Sequence, residues 1–337
     1  MSIELKKVES RERSVFYVYV WNYEGTRYTD KWVGYNLQYM LLLSEPNSYK
    51  VNGYFGKEEL QKYFNDLLKQ FKINPSFFER TKKEYLEGWE KLFPYALKKK
   101  QIKSIPELKE YFHTWIYWFG ALCNIYIAPD MKCVPKPIQK EALRLREMTQ
   151  EYADALDETY LEFMRTHYPQ YKEIMYVLTP EEIFSLEKKP FSNAKLKEIK
   201  GRLKGFFIWK DKIHPLSEFE QIKKRDDIHF TQEIEKKQTT LKGNVAFPGN
   251  VKGIVHIIKI KADLPQFKEG EILVTEMTSP DYVSYMKKAA AVITNEGGIV
   301  CHAAIACREM KIPCIIGTKT ATKVLKDGME IEINSNN

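Results

Sequence analysis

Aromatic side chains nearly vanish from this chain after residue 240, and that asymmetry limits what it can fold into. All six tryptophans precede Leu241, and beyond it only Phe247, Phe267, Tyr282 and Tyr285 remain, while eight of the sixteen glycines fall there. At 337 residues the chain has room for two or three hydrophobic cores. Two segments this different in composition are not expected to share one. The stretch EKKQTTLKGN at the change is polar and aperiodic, so it reads as a linker. The expected division is a first part over 1–235, a linker over 236–243 and a last part over 244–337.

The first part reads as mainly helical after a short β opening. SVFYVYVW (14–21) is rich in Val, Tyr and Phe and predicts a strand. From Lys57 the period changes to that of helices. Leu108, Tyr111, Phe112, Trp115, Phe119, Leu122 and Cys123 fall three and four apart, an apolar stripe on one helix. Such a stripe packs against other rings or lines a pocket for a small apolar ligand. Residues 137–171 predict one long or two shorter helices. TPEEIF predicts a helix start, with Thr179 as N-cap, Pro180 at the first helical position and acids in the first turn.

The last part alternates differently. GIVHIIKI, EILVTEM, AAAVITN, PCIIGT and MEIEIN are five short β-branched segments bounded by Gly, Pro and Asn. Between them SPDYVSYMKKA and HAAIACREM read as helical pieces. The expectation is a compact α/β unit, and an α+β multidomain fold for the whole chain.

Charge and cysteine usage exclude several classes. The formal charge of +8 invites a nucleic-acid reading, but lysines alternate with glutamates, as in KKEYLEGWEKL, the pattern of solvated helix faces. No nucleic-acid-binding signature appears, so no nucleic-acid partner is expected. No apolar run is long enough to span a bilayer, so no membrane partner is expected. The opening MSIELKKVESRER lacks the apolar core of a signal peptide, so a cytoplasmic location is expected. Five cysteines without framework spacing fit reduced thiols.

Residues 295–317, NEGGIVCHAAIACREMKIPCIIG, hold the strongest chemical signal. A strand ends in a loop containing Gly297 and Gly298, and His302 then opens a helix of small residues. Unpaired amides and the helix dipole make such a start an anion site, and glycines let a bulky ligand approach the backbone. Three roles are open to His302: a packed structural residue, a metal ligand, or a nucleophile that is phosphorylated. Spacing argues against a metal, because Cys301 precedes the helix, Cys307 is off the i+4 face and Cys314 lies on the next strand. Cys301 at a helix N-terminus is itself a candidate nucleophile. Arg308, two turns in, serves phosphate or a structural ion pair equally well. Glu296 orients the imidazole or sits in solvent, and solvent is the simpler reading.

These residues carry a family resemblance. Thr278 and Pro280, Gly297 and Gly298, His302, Arg308 and Glu309, Ile312 and Pro313, and Gly317 occur in the order that marks the phosphohistidine domain of phosphoenolpyruvate synthase and pyruvate phosphate dikinase. The run resembles that mobile domain of PEP-utilising enzymes over roughly 241–337. The resemblance implies a swivelling β/β/α domain whose His302 carries a phosphoryl group between two distant sites. Gly297, Gly298 and Cys301 would form the phosphate-binding loop, with Arg308 and Glu296 as support and no protein-bound metal. One position departs from the family: two residues before the histidine, where a threonine modified by regulatory kinases often stands, this chain has Val300. That regulation is expected to be absent here. A phosphothreonine-dependent loss of activity mapped to this loop would contradict it.

YKEIMYVLTPEEIFSL (171–186) is more weakly similar to the helical substrate domain of rifampin phosphotransferase-like proteins. No alternating pattern for a PEP/pyruvate barrel is seen. The family's ATP-grasp module needs about 300 residues, which do not fit beside these two parts. The resemblance therefore implies a phosphotransferase working with a separate ATP-grasp nucleotide-binding partner and a small-molecule acceptor. Mg²⁺ would accompany the nucleotide or PEP, with no tightly bound cofactor. The rival expectation is a non-enzymatic phosphoacceptor or binding module regulated at His302.

Overall fold

The computed structural model describes residues 2–45, 50–130, 134–150, 152–231, 240–259, 261–298 and 301–334. Val300 and residues 232–239, which include the first half of the expected linker, lie outside the described residues. The chain divides into two compact units, Met1–Gln232 and Glu233–Asn337. Among the described residues no helix is long and apolar enough to cross a membrane.

Unit 1 is α+β. Its strands are β1 (Ile3–Glu12), β2 (Met40–Ser44), β3 (Lys50–Gly56), β4 (Phe206–Trp209), β5 (Lys212–Pro215) and β6 (Ile228–Phe230). They form a sheet in the order β5-β4-β2-β3-β1-β6, antiparallel except for the β1–β6 pair. Its helices are α1 (Val15–Tyr23), α2 (Asp30–Val33), α3 (Lys57–Ile73), α4 (Pro75–Ala96), α5 (Ile105–Ile127), α6 (Lys136–Gln150), α7 (Ala153–His167), α8 (Pro180–Ser185), α9 (Asn193–Gly201) and α10 (Phe219–Arg225). One sheet face joins the large helical core through Met40, Leu42, Val51 and Phe55. The other packs Leu5, Leu41, Phe207 and Trp209 against Ile222 of α10.

The expected strand over 14–21 is the helix α1, and the opening strand is β1 instead. All nine residues of α1 are buried. A helix buried on every side has the same continuous apolar composition as a buried strand, so composition alone misleads here. Ser14 decides it: its Oγ accepts from the Tyr17 amide as N-cap and donates to Asp157 of α7 at 2.5 Å. The short β opening also understates the sheet, three of whose strands come from beyond residue 205.

The stripe on α5 packs ring against ring. Tyr111, Phe112, Trp115 and Phe119 are buried, whereas Leu122 and Cys123 are half-buried. Phe112 lies 4.7 Å from Phe16, Trp115 5.3 Å from Tyr17 and Tyr111 5.0 Å from Tyr95, centroid to centroid. Residues 137–171 form two helices, α6 and α7. Thr179 caps α8 in a capping box, accepting from the Glu182 amide while Glu182 Oε2 accepts from the Thr179 amide.

Unit 2 holds β7 (Asn244–Phe247), β8 (Asn250–Ile258), β9 (Ile272–Thr275), β10 (Ala291–Thr294), β11 (Cys314–Ile316) and β12 (Glu330–Asn334). Its helices are α11 (Val283–Met286), α12 (His302–Met310) and α13 (Ala321–Val324). All five expected strands are present, and β7 and α13 are additional. The order is β12-β8-β9-β10-β11-β7, with β8 to β11 parallel and both outer strands antiparallel. The long β8 pairs with β12 through Asn250–Ile254 and with β9 through Val255–Ile258. One core packs α12 onto the sheet through Ala303, Ala304 and Cys307; the other packs Ala321, Leu325 and Ile333 on the opposite face.

Helix α12 ends at Lys311, a left-handed residue with φ of 56°. Glycine takes this position without strain, whereas a lysine Cβ costs about 1–2 kcal/mol there, partly offset by glycine's greater freedom when unfolded. Lys311→Gly is expected to stabilise unit 2 by about 0.5–1 kcal/mol in urea unfolding.

Candidate active site

Parallel strands collect loops at their carboxyl ends, and in open α/β sheets that edge is where ligands bind. In unit 2 this edge gathers the residues after β9, β10 and β11. Thr278 follows β9, the two glycines and His302 follow β10, and Gly317 follows β11.

His302 is the first residue of α12, preceded by Cys301 as an extended N-cap that makes no side-chain capping bond. The first internal hydrogen bond of the helix runs from the Ile305 amide to the Cys301 carbonyl at 3.0 Å. The amides of Ala303 and Ala304 therefore have no acceptor within the helix, and they add to the positive end of its dipole. His302 is half-buried, and its Nδ1 lies 2.7 Å from Oγ1 of the buried Thr278. That pair joins the loop after β9 to the loop after β10. It leaves Nε2 as the imidazole nitrogen on the side away from Thr278.

The glycines work through packing. Gly297 has φ of +119°, and a Cβ there would lie 2.7 Å from Cys301 Sγ. The side of Gly297 expected to admit a ligand is thus taken by the Cys301 sulfur. Cys301 is buried, and this packing explains why its thiol is not presented as a nucleophile. Its amide donates to the Gly298 carbonyl at 2.9 Å, closing the turn into the helix. Gly317, with φ of +69°, brings the end of β11 so close that a Cβ would lie 3.2 Å from the Gly297 carbonyl. Gly297→Ala combines a disfavoured backbone with this clash. It is expected to cost unit 2 about 2–3 kcal/mol of unfolding free energy, read by urea denaturation. Adding Cys301→Ala should relieve the clash with the sulfur, leaving the 3.1 Å contact with the Cβ of residue 301 and the backbone part.

The supporting residues are placed differently. Glu296 is half-buried with Oε2 shielded from water, not in open solvent; its amide donates to the Glu276 carbonyl at 3.0 Å. Arg308 is exposed in the last turn of α12, about 9 Å along the axis from His302, where its charge suits the carboxyl end of the dipole. A hydrogen bond with Cys307, followed by burial, pushes the Cys314 thiol up and keeps it neutral. Among the described residues no three His, Cys, Asp or Glu side chains converge as a metal cage. His113 is exposed beside the α5 stripe.

Sequence reasoning marked Thr278 without assigning its contact and passed over Asn295 altogether. Asn295 is 3% exposed at the end of β10. Its amide donates to the Thr275 carbonyl at 3.1 Å and its carbonyl accepts from Lys319 at 2.8 Å. Its side-chain Nδ2 donates to Thr322 Oγ1 at 2.6 Å, and its Oδ1 accepts from the Thr322 amide at 3.0 Å. The only local signal was an asparagine directly after a β-branched run.

Comparison with known proteins places this geometry in context. Residues 267–337 match the family described as PEP-utilising enzyme, mobile domain. The chain is 41% identical over 141 residues to a probable phosphoenolpyruvate synthase of Archaeoglobus fulgidus, covering 42% of this chain and 19% of the relative. It is 50% identical over 103 residues to the phosphoenolpyruvate synthase of Pyrococcus furiosus, covering 31% of this chain and 13% of the relative. The Helicobacter pylori phosphoenolpyruvate synthase is 48% identical over 105 residues, again 31% of this chain and 13% of the relative. The chain thus spans less than a fifth of the length of these relatives. The resemblance read from Thr278 to Gly317 holds for the C-terminal part.

Proposed function

We propose that this chain is a phosphotransferase component of the phosphoenolpyruvate synthase and dikinase kind, with His302 as the phosphoryl carrier. The observation that supports it most is the Thr278–His302 hydrogen bond at the amino end of α12. In the reactive tautomer Nδ1–H donates to Thr278 Oγ1 and Nε2 holds the lone pair. Nε2 attacks the donor phosphorus, the N–P bond forms, and the bond from phosphorus to the donor oxygen breaks. The electron pair leaves with that oxygen. The acceptor oxygen then attacks the same phosphorus, the N–P bond breaks, and the acceptor proton passes to solvent. Transfer of this kind depends on positioning and on charge stabilisation, to which the Ala303 and Ala304 amides of α12 contribute.

In this reading residues 244–337 of unit 2, after a linker over 236–243, are the swivelling β/β/α domain. Unit 1 presents the acceptor, a small molecule. A nucleotide-binding partner of the ATP-grasp type supplies the phosphoryl group, and the setting is cytoplasmic. Mg²⁺ neutralises donor phosphates when bound. With no cage of carboxylates among the described residues, it would be held by those phosphates rather than by this chain.

The test is intact-mass analysis of the full chain in mildly alkaline buffer after incubation with PEP, with ATP, and with ATP plus an ATP-grasp partner. Labelling only with the partner supports the reading. Labelling by PEP alone replaces the donor assignment. A chain that stays unlabelled beside an active partner overturns the carrier role.

A further inference from the structure

Asn295 has every polar group engaged at the point where the histidine loop leaves the sheet. Its backbone amide ties it to Thr275, three residues before Thr278, and its carbonyl ties it to Lys319 after β11. Its side chain reaches α13, whose own cap residue, Thr320, makes no side-chain capping bond. Asn295 Oδ1 accepts instead from the Thr322 amide, one of the helix donors left without an internal acceptor. The second half of the amide is locked by Thr322 Oγ1. A side-chain carboxamide held at both ends has a single orientation, and so does the backbone that carries it.

What lies beyond Asn295 gives this a consequence for the chemistry. Glu296 is tied by its amide to Glu276, and Gly297 has a conformation open to few residues but glycine. Two glycines in succession are soft backbone, so the course of Gly297 and Gly298 is set by what is fixed at either end. One end is α12, packed on the sheet through its alanines. The other is Asn295. The same residue anchors, through Thr275 and Glu296, the loop that carries Thr278.

We infer that Asn295 is a positioning residue for His302: locked onto Thr322, it sets how the Gly297–Gly298 loop leaves β10 and so holds the imidazole on Thr278. The role in transfer rests on the phosphohistidine reading above, whereas the positioning itself does not. Asn295 touches neither donor nor acceptor in this role; it acts by fixing which ring nitrogen faces Thr278. Small misplacements of a reacting group are costly, on the order of 100-fold for about 1 Å.

The experiment uses the full chain with ¹⁵N-labelled histidine, of which there are six, and His302→Gln to assign the His302 signals. Long-range ¹H–¹⁵N spectra report the tautomer of the unphosphorylated protein, and labelling rates are measured with the donor that labels the wild type. Asn295→Ala and Thr322→Val should convert a single His302 tautomer into a mixture. Both should slow labelling about 10- to 100-fold at saturating donor, with the donor concentration for half-maximal rate changed less than threefold. Thr322→Ser keeps the hydroxyl and should retain the wild-type tautomer and rate. Folded Asn295→Ala and Thr322→Val variants with the wild-type tautomer and rate would overturn the inference. If Asn295→Ala does not fold, the half-buried Thr322→Val variant decides alone. A tautomer that shifts in the variants of a chain that no donor labels would leave the positioning standing and remove the carrier role.

Discussion

His302→Ala is expected to lose phosphoryl uptake completely, at least about a 10⁴-fold drop to background, while the chain keeps its fold. The two halves of that expectation have separate causes. Among the described residues at the amino end of α12, the imidazole is the nucleophile that the geometry presents, because the Cys301 sulfur is turned onto Gly297. Alanine is the best helix former and sits at the first position of a helix whose inner face is already alanine, so the packing against the sheet survives. Intact-mass analysis in mild alkali reads the label, and brief acid treatment should remove it from the wild type as expected for an N–P bond. Urea unfolding of the variant within about 1 kcal/mol of wild type confirms that the loss is chemical. A variant that still takes up acid-labile phosphate would move the carrier to another histidine.

The second large effect concerns stability and lies in unit 1. Glu24 begins a π-helical turn, Glu24–Tyr28, that continues α1, and with Gly25 it is one of the two buried residues of that turn. It is 5% exposed, its Oε1 has no hydrogen-bond partner among the described residues, and it lies against Gly120 of α5. Burial alone pushes its carboxyl up to about 8 from an ordinary 4.5. The folded chain therefore keeps this proton over a range where the unfolded chain has released it. Stability linked to Glu24 is fully present below about pH 4.5, falls as pH rises towards 8, and is constant above that. The shift sets a ceiling of about 5 kcal/mol, and water reaching the charged carboxylate lowers the expected loss to about 2–4 kcal/mol. Glu24→Gln removes the titration. It should be near neutral at pH 5 and stabilise unit 1 by about 2–4 kcal/mol at pH 9, measured by urea unfolding at the two values. Equal effects at both pH values would mean that Glu24 does not titrate between them.

Both predictions show where reading from sequence succeeds and where it stops. The histidine site was legible because its signals are local. A strand end, a glycine pair, a small-residue helix and a proline-led strand each report on backbone within a few residues, and their order alone implies a loop at a sheet edge. The N-cap at Thr179 and the α5 stripe were legible for the same reason. The contact that makes the site chemical was not, since Thr278 and His302 are 24 residues apart and meet only because β9 and β10 are adjacent and parallel.

The same limit explains the misread segment. Val15–Tyr23 has strand composition and becomes a helix because Ser14 meets Asp157 across 143 residues and every side of the helix finds a buried partner. Glu24 carries no local signal of the burial that α5 imposes on it, and Asn295 reads as a strand terminator until α13 supplies Thr322. The amino-acid sequence by itself determined the two-part division of composition, the order of five strands and two helices in unit 2 and the identity of the candidate histidine, all consequences of local propensity and spacing. Tertiary structure alone decided which polar groups are buried, paired or strained. The free energy of a polar group depends on what stands opposite it, and distance along the chain does not encode that.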